Sequence, residues 1–354
     1  MKKIIIVSVA LSILALTLAI LMPLRKGMRG AELREFEDDD IPLAALPSME
    51  HRPIPSIEEL IPPGSRSDKE IMVRVLDGEK VSEMSMEQLL IGVVSAEMPA
   101  VFEPEALKAQ AVAARTDTLY NMYVIPGAKH QDADICTDFN CCMAHEKDGR
   151  LREKWGDDYL EYISKIISAV TETDGIFMKY AEMPILAVFH SSSLGRTEDS
   201  RNVWGGGVPY LESVESPEND ESVPNFTSTV TVSATDFRDT FKAGYPEAVL
   251  GNKSEAWIEN VEYNENGRVG TITVGGVMIS GTQFRALFGL RSTAVTIEIV
   301  GKNVVITTRG YGHGVGMSQY GANAFAKDGK TWREILSTYY TGIEFGGEDK
   351  AAPL

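Results

Sequence analysis

The sequence of 354 residues has few basic residues for its size. It contains 34 lysine and arginine residues against 51 aspartate and glutamate residues, so its formal net charge is −17. Proteins that bind nucleic acid need a basic surface that displaces counterions, and anionic lipid surfaces attract the same positive charge. The composition therefore argues against both partners and leaves a neutral or mixed-charge substrate.

Long apolar runs are also scarce. The single one covers residues 4–24, follows Lys2 and Lys3, contains no charge, and is about long enough to cross a bilayer. No Ala-x-Ala cleavage pattern follows it, so we expect an uncleaved signal anchor over residues 1–26, with a cleaved signal peptide as the alternative. Because no second run exists, we expect a single-pass membrane protein whose remaining chain lies outside the cytoplasm.

Residues 27–68 lack apolar periodicity. They carry three consecutive aspartates at 38–40 and six prolines between 42 and 63. Acidic, proline-rich sequence buries too little apolar surface to fold, so we predict a flexible linker here. Residues 69–346 are then predicted to form a folded domain, followed by a short tail at 347–354, and no internal repeat divides that domain.

The folded region is predicted to be α+β. Strands are indicated by alternating or β-branched sequence at 71–77, 173–180, 184–190, 227–233, 269–276 and 303–308. A helix up to about residue 97 and an alanine-rich helix at 105–123 predict a helical hairpin. Two capping boxes support helix starts, Ser85 with Gln88 and Thr331 with Glu334. Helices come first and strands later, without the alternation of a doubly wound sheet.

Cysteine is rare, and the three cysteines lie within seven residues, at Cys136, Cys141 and Cys142. His130 and His145 bracket them. Three thiolates and one imidazole are the ligand set of a closed, structural zinc site. The alternative is one disulfide from Cys136 to either neighbour, with a spare thiol.

Several catalytic and nucleotide motifs are missing. Residues 310–326 are rich in glycine but fit neither G-x-G-x-x-G nor the P-loop pattern, and the chain contains no G-x-S-x-G or H-E-x-x-H. Glycines alternating with His313 and two tyrosines suit a sugar-binding groove, and a structural turn is the alternative. His190 ends a predicted strand before three serines, and we predict that it belongs to the same groove rather than acting as a catalytic base.

Four segments together resemble the stage II sporulation protein D family. They are SAEMPAVFEPEALKAQAVAART, ILAVFHSSSLGRTED, VWGGGVPYLESVES and GYGHGVGMSQYGANAFAKDG, and they occur in the family's order. The resemblance covers nearly all of residues 70–346. It implies a lytic transglycosylase that cuts peptidoglycan glycan strands during engulfment of the forespore. A related branch of amidase enhancers, which bind glycan without cutting it, gives the alternative function.

The resemblance also implies roles for individual residues. Glu97 corresponds to the catalytic glutamate, and its apolar neighbours Met98 and Pro99 should raise its pKa. Arg115 would orient Glu97 or a sugar N-acetyl group. The remaining predicted substrate-binding residues are His190, Ser191, His313, Gln319 and Tyr320.

The implied metal and partners follow the family. The family's zinc ligands correspond to His130, Cys136 and Cys142, and whether Cys141 or His145 is the fourth ligand stays open. Adjacent cysteines can both bind only if a tight turn lies between them. The implied partners are peptidoglycan glycan strands, a sporulation amidase (stage II sporulation protein P) and a membrane scaffold (stage II sporulation protein M). The implied location is the mother-cell membrane, with the domain facing the septal peptidoglycan.

Overall fold

The computed structural model describes residues 67–347 of the chain. The predicted signal anchor, residues 27–66 of the predicted linker, and residues 348–354 of the predicted tail lie outside the described residues. Within residues 67–347, no helix is both long and apolar enough to cross a membrane.

Helices and strands are both spread through the described chain, so the predicted order, with helices first and strands later, is wrong. The α-helices are α1 (Met86–Glu97), α2 (Pro104–Leu119), α3 (Asp148–Trp155), α4 (Tyr159–Thr171), α5 (Ser200–Trp204), α6 (Ala234–Gly244), α7 (Gly281–Leu287), α8 (Gln319–Lys327) and α9 (Trp332–Tyr339). The strands are β1 (Met72–Asp77), β2 (Lys80–Ser85), β3 (Ile135–Cys136), β4 (Phe177–Tyr180), β5 (Met183–Pro184), β6 (Phe189–His190), β7 (Thr227–Ser233), β8 (Ile258–Tyr263), β9 (Val269–Val274), β10 (Val277–Ser280), β11 (Val295–Val300), β12 (Asn303–Arg309), β13 (Met317–Ser318) and β14 (Glu344–Gly346). Most strand pairings are antiparallel and the helices do not alternate with strands of one sheet, so the α+β prediction is confirmed.

Helix α2 forms the centre of a helical core and contacts α1, α4, α8 and α9. Its residues are almost all buried from Ala106 to Leu119, and its alanines allow neighbouring helices to approach closely. Pro104 begins the helix at a position where its missing N–H costs nothing. The capping box of Ser85 and Gln88 is present at the start of α1. The predicted helical hairpin is therefore confirmed.

Two short parallel pairings bring distant segments together. Strand β3 runs beside β1, with Cys136 opposite Leu76. Strand β13 runs beside β6, with Ser318 opposite His190. The first pairing fixes the cysteine-rich loop at the edge of the β1–β2 hairpin. The second joins the serine-rich and glycine-rich segments at the start of α8.

Residues 227–309 form a lobe inserted into the main fold. The lobe contains two three-stranded antiparallel sheets, in the orders β10-β9-β8 and β11-β12-β7, together with α6 and α7. It has its own apolar core, which includes Phe237, Ile272 and Phe284. The chain enters and leaves the lobe at neighbouring points, because the Gly310 N–H donates to the Phe226 carbonyl at 2.9 Å.

Two predicted strands are shorter than expected. Of residues 173–180 only β4 pairs, and of residues 184–190 only the two ends pair, in β5 and β6. The N–H of Leu186 donates to the Tyr210 hydroxyl at 3.0 Å instead of to a neighbouring strand. A side-chain hydroxyl thus accepts the backbone hydrogen bond that the sequence pattern predicted would go to a neighbouring strand.

Candidate functional site

Glu97 is the last residue of α1 and is half-buried where α1, α8 and the loop after β3 come together. Its Oε1 accepts a hydrogen bond from the Ala144 N–H at 2.7 Å, and its Oε2 accepts one from the Gln319 amide at 3.2 Å. Burial raises the pKa of Glu97, and the two hydrogen bonds partly oppose that change. Both partners are neutral. Within residues 67–347 Glu97 forms no salt bridge, which would have favoured its ionised form.

The loop after β3 is fixed along α1 by two contacts at Gly92. The N–H of Glu146 donates to the Gly92 carbonyl at 3.1 Å. The His145 ring packs so closely on the same glycine that a Cβ there would overlap the imidazole. These two contacts hold residues 145–146 against α1. They thereby place the N–H of the preceding residue, Ala144, within hydrogen-bond distance of the Glu97 carboxylate.

Gln319 reaches Glu97 because α8 begins directly at the β6–β13 pairing. Ser318 caps the helix, since its Oγ accepts the Gly321 N–H at 3.2 Å. The Gln319 amide also lies 3.5 Å from Oε1 of Gln110 in α2. Residues more than two hundred positions apart therefore share one hydrogen-bonded cluster around the Glu97 carboxylate.

The glycine-rich segment packs against the serine run. Gly312 has φ +111°, and a Cβ on it would lie 2.6 Å from the Cβ of His190. Glycine alone fits this combination of backbone conformation and close approach. Ser192 and Tyr311 exchange two backbone hydrogen bonds of 3.0 Å. The alternating glycines therefore allow this segment to pack closely against the chain's own serine run.

His190 supports this arrangement from the inside. It is only 4% exposed, and both ring nitrogens are used, with Nδ1 3.1 Å from the Val315 carbonyl and Nε2 2.7 Å from the Ser193 hydroxyl. Burial, together with nearby His313 and Arg268, holds the pKa of His190 well below its usual range, so the ring is neutral. His190 is therefore an internal anchor, which corrects the prediction that it contacts substrate.

His313 and Trp204 form a half-buried aromatic surface next to that anchor. The His313 ring centroid lies 5.7 Å from that of His190 and 5.8 Å from that of Trp204. Burial, with a smaller contribution from two nearby arginines, lowers the pKa of His313 to about 3. A neutral imidazole beside an indole suits contact with a sugar face better than contact with an ion.

Tyr320 and Ser191 lie at the other end of the serine run, near the start of α8. The Tyr320 ring packs edge-on against Phe102 with centroids 5.0 Å apart. Its backbone N–H donates to the Ser191 carbonyl at 3.0 Å. Both side chains are half-buried, so parts of them remain at the surface, whereas the neighbouring Gln319 is buried and its amide faces Glu97.

The cysteine-rich loop brings four metal-binding groups together. Single ligand atoms of His130, Cys136, Cys141 and Cys142 lie within 4.8 Å of one another, and all three cysteines are free thiols. The Sγ atoms of Cys141 and Cys142 lie 3.4 and 3.5 Å from Nε2 of His130, and 3.9 Å from each other. Tetrahedral zinc requires S–N separations of about 3.6 Å and S–S separations of about 3.8 Å. The residues present therefore fit zinc in both type and spacing.

Cys141, rather than His145, completes this set. A turn that starts at Asp138 directs both adjacent cysteines inward, because the N–H groups of Cys141 and Cys142 donate to the Asp138 carbonyl at 3.0 and 2.8 Å. His145 lies instead against Gly92 of α1. Hydrogen bonds from the Cys141 and Cys142 thiols lower the pKa of Cys136, which favours the thiolate form of this cysteine, the form that binds metal.

Comparison with known proteins places this geometry in a family. A family model described as Stage II sporulation protein matches residues 77–180. The chain is 36% identical over 269 residues to Stage II sporulation protein D of Bacillus amyloliquefaciens, covering 76% of each chain. It is 36% identical over 271 residues to the protein of the same name in Bacillus subtilis (strain 168), covering 77% of each. The chain belongs to the stage II sporulation protein D family.

The family assignment agrees with the resemblance found from sequence motifs. The matched residues 77–180 contain Glu97 and the cluster of His130 and the three cysteines, whereas Gln319 lies outside them. The chain is also 28% identical over 304 residues to a protein named amidase enhancer in Bacillus subtilis (strain 168), covering 72% of this chain and 39% of that protein.

Arg115 of this family member has a different place from the predicted one. It is fully buried, and its guanidinium forms a bidentate ion pair with Asp68, with a closest distance of 2.6 Å. It also donates to the Ile176 carbonyl at 3.0 Å. These contacts leave no access to substrate and do not include Glu97, so the predicted role of Arg115 is wrong. Asp68, which was assigned to the linker, is buried and belongs to the domain.

Two residues of the site, Ala144 and Trp204, were not predicted from the sequence. Ala144 contributes a backbone N–H, and a backbone donor leaves no mark in residue type. Trp204 lies in the quoted segment VWGGG, where a large aromatic residue among glycines could have indicated a sugar-binding surface.

Proposed function

We propose that this protein is a lytic transglycosylase that cuts peptidoglycan glycan strands between N-acetylmuramic acid and N-acetylglucosamine. The observation that supports this proposal is the environment of Glu97. Its carboxyl group is half-buried, has a raised pKa, and is held by two neutral hydrogen-bond donors. A carboxyl group of this kind is partly protonated nearer to neutral pH than an exposed one, as a general acid requires.

The proposed reaction uses one carboxyl group twice. Protonated Glu97 gives its proton to the glycosidic oxygen while the bond from that oxygen to C1 of the muramic acid breaks. The Glu97 carboxylate then takes the proton of the C6 hydroxyl, and the C6 oxygen bonds to C1. The products are a free 4-hydroxyl end and a 1,6-anhydro end. Glu97 regains its proton and no water is consumed.

A single carboxyl group is enough for this reaction. Glycosidases that use water usually need a second carboxylate as base or nucleophile, about 5–9.5 Å from the first. A reaction in which the sugar supplies its own nucleophile needs only one carboxyl group, and Glu97 is held for that role by a peptide N–H and an amide.

Substrate would lie along the serine and glycine-rich segments. Half-buried Trp204 and His313 offer flat faces for a sugar ring. Half-buried Ser191 and Tyr320 offer hydroxyl groups beside Gln319, which contacts Glu97. Aromatic faces bordered by neutral polar groups suit contact with the face of a sugar ring.

Zinc would be structural in this proposal. His130, Cys136, Cys141 and Cys142 would hold it, and four protein ligands leave no coordination position for a reacting water. Its contribution would be to fix the loop that carries Ala144, and no chemical step passes through it.

The cellular setting is proposed from the family. The relatives are named for sporulation, and the predicted anchor would hold the domain at the mother-cell membrane, facing the septal peptidoglycan. A sporulation amidase, stage II sporulation protein P, would remove stem peptides first, and stage II sporulation protein M would hold both enzymes at the membrane. Glycan strands without stem peptides are therefore the proposed substrate.

A second candidate is an amidase enhancer that binds glycan without cutting it. The similarity to a protein of that name favours it. Product analysis separates the candidates. Purified full-length protein is incubated with glycan strands stripped of peptides, and the products are identified by mass spectrometry. We expect 1,6-anhydro ends. Ordinary reducing ends would indicate a hydrolase, and intact glycan with a stimulated partner amidase would indicate an enhancer.

A further inference from the structure

Glu218 has a buried carboxylate beneath the start of α8. It is 2% exposed, and its Oε1 accepts the Ser193 N–H at 2.6 Å and the Ser318 hydroxyl at 2.5 Å. Its Oε2 accepts the Ser216 hydroxyl. Burying a carboxylate costs free energy unless donors replace the lost water. Three donors converge here, so the surrounding chain is built to hold this group.

The first turn of α8 is shaped around that carboxylate. A Cβ at Gly321 would lie 2.5 Å from Oε2 of Glu218 and would overlap the Tyr339 hydroxyl. The Ser216 hydroxyl joins the two, at 2.7 Å from the Tyr339 oxygen. The N-terminal end of a helix also favours a nearby negative charge. Glycine at this position therefore permits the helix to begin directly on Glu218.

A single hydrogen bond connects Glu218 to Ser318, the residue before Gln319, whose amide contacts Glu97. Glu218 accepts from Ser318, and Ser318 is both the cap of α8 and the residue before Gln319. The Gln319 amide then donates to Oε2 of Glu97 at 3.2 Å. Gln319 is the first residue of α8, so a shift in the first turn of this helix would move its amide directly.

We propose that Glu218 is a positioning residue for Glu97, which fixes the first turn of α8 and thereby holds the Gln319 amide on the Glu97 carboxylate. Its predicted effect on rate rests on the proposed function. Its effect on the environment of Glu97 does not depend on that function.

The inference predicts opposite outcomes for two substitutions. Glu218→Ala removes the closer acceptor of the Ser318 hydroxyl and leaves it the Ser191 carbonyl at 3.4 Å, so the first turn of α8 shifts and Gln319 leaves Glu97. Because the Gln319 hydrogen bond lowers the pKa of Glu97, this pKa should rise. Glu218→Gln keeps an oxygen acceptor for Ser318, so it should restore most of the wild-type behaviour.

The test is a titration that needs no catalysis. Full-length protein is labelled with ¹³C at the glutamate carboxyl carbons, and the Glu97 signal is assigned by its disappearance in Glu97→Gln. We expect Glu218→Ala to move its titration to higher pH, and Glu218→Gln and the exposed control Glu221→Gln to leave it near wild type. Ser318→Ala, which removes the connecting hydroxyl, should act like Glu218→Ala and serves if that variant does not fold.

Rate measurements provide the second arm. Misplacing a catalytic group slightly can cost up to about 10²-fold, so we expect Glu218→Ala to lower kcat by about 10- to 100-fold. If Glu218 acts through Gln319, adding Glu218→Ala to Gln319→Met should lower kcat little further. A Glu97 titration that moves in Gln319→Met but not in Glu218→Ala or Ser318→Ala would overturn the inference. A moved titration in a protein that cuts no glycan would refute the proposed function and leave the inference standing.

Discussion

Glu97 illustrates how a single side chain acquires its chemistry from its surroundings. Its burial at the end of α1 raises its pKa, whereas the Ala144 N–H and the Gln319 amide lower it. The sequence predicted the direction of the change from the neighbouring Met98 and Pro99. It could not predict the opposing donors, because they come from segments about fifty and more than two hundred residues away.

The raised pKa of Glu97 has a consequence for stability. A carboxyl group whose folded-state pKa lies above its unfolded value contributes stability at low pH, which is lost as pH rises through the folded pKa. The glutamine of Glu97→Gln does not ionise. The melting temperature of this variant minus that of wild type should therefore increase as pH rises from about 4 to about 8. Thermal unfolding of both proteins across this range measures the difference. A constant difference, or one that falls with pH, would contradict the raised pKa, and Glu221→Gln serves as the exposed control.

Arg115 is expected to matter for stability rather than for catalysis. Arg115→Met leaves the Asp68 carboxylate buried without its partner, which should cost about 3–5 kcal/mol in the free energy of unfolding. The matched control is Arg152→Met, since the Arg152 and Asp148 side chains are each 59% exposed, so solvent screens their pair and its loss should change stability little. Denaturant unfolding measures both. An Arg115→Met protein of normal stability but impaired glycan cleavage would restore the catalytic role that the structure removes.

At the scale of elements, the cysteine-rich loop connects the cluster of His130 and the three cysteines to the carboxyl group of Glu97. Two residues after Cys142, the N–H of Ala144 donates to Glu97, and the chain continues along α1. The sequence predicted the cluster from residue types alone. The choice between Cys141 and His145 depends on the turn at Asp138, which directs both adjacent cysteines inward. The sequence showed that such a turn was necessary for both cysteines to bind, but not where it lies.

The loop gives a prediction about metal content. Purified protein should carry about one zinc per chain. Cys141→Ser should lose zinc and unfold at lower temperature, because metal binding and folding of the loop are coupled. His145→Asn should keep zinc, since His145 lies against Gly92 and outside the ligand set. Elemental analysis of unchelated protein measures both. Zinc retained in Cys141→Ser and lost in His145→Asn would reverse the assignment of the fourth ligand.

Other elements show where sequence patterns carry enough information and where they do not. The capping boxes at Ser85 and Thr331 were predicted and are present, because each is a local hydrogen-bond pattern. Helices α3 and α4 were not predicted. Helix α3 is short and largely exposed, and its mainly charged sequence gives little apolar periodicity. The expected helix over residues 105–123 ends as an α-helix at Leu119 and continues as a π-helical turn, which depends on its packing.

At the scale of the described domain, the main fold brings remote segments to Glu97, and the inserted lobe carries a separate core. The sequence predicted one mixed domain without this division. The lobe's strands at 227–233, 269–276 and 303–308 were predicted from the sequence. The order of strands in its two sheets was not, because that order depends on pairing between residues far apart in the chain. Local patterns do not contain that information.

The most direct test of the account compares wild type with Glu97→Gln on glycan strands stripped of peptides. Glutamine keeps the size of the side chain and an oxygen for the Ala144 N–H, but it has no proton to transfer. Positioned acid–base catalysis typically contributes about 10²–10⁴-fold, so release of 1,6-anhydro ends by the variant should fall by at least that order. Melting behaviour and zinc content should show that the variant is folded. Undiminished release of 1,6-anhydro ends by Glu97→Gln would contradict the central claim that Glu97 is the acid and base of this reaction.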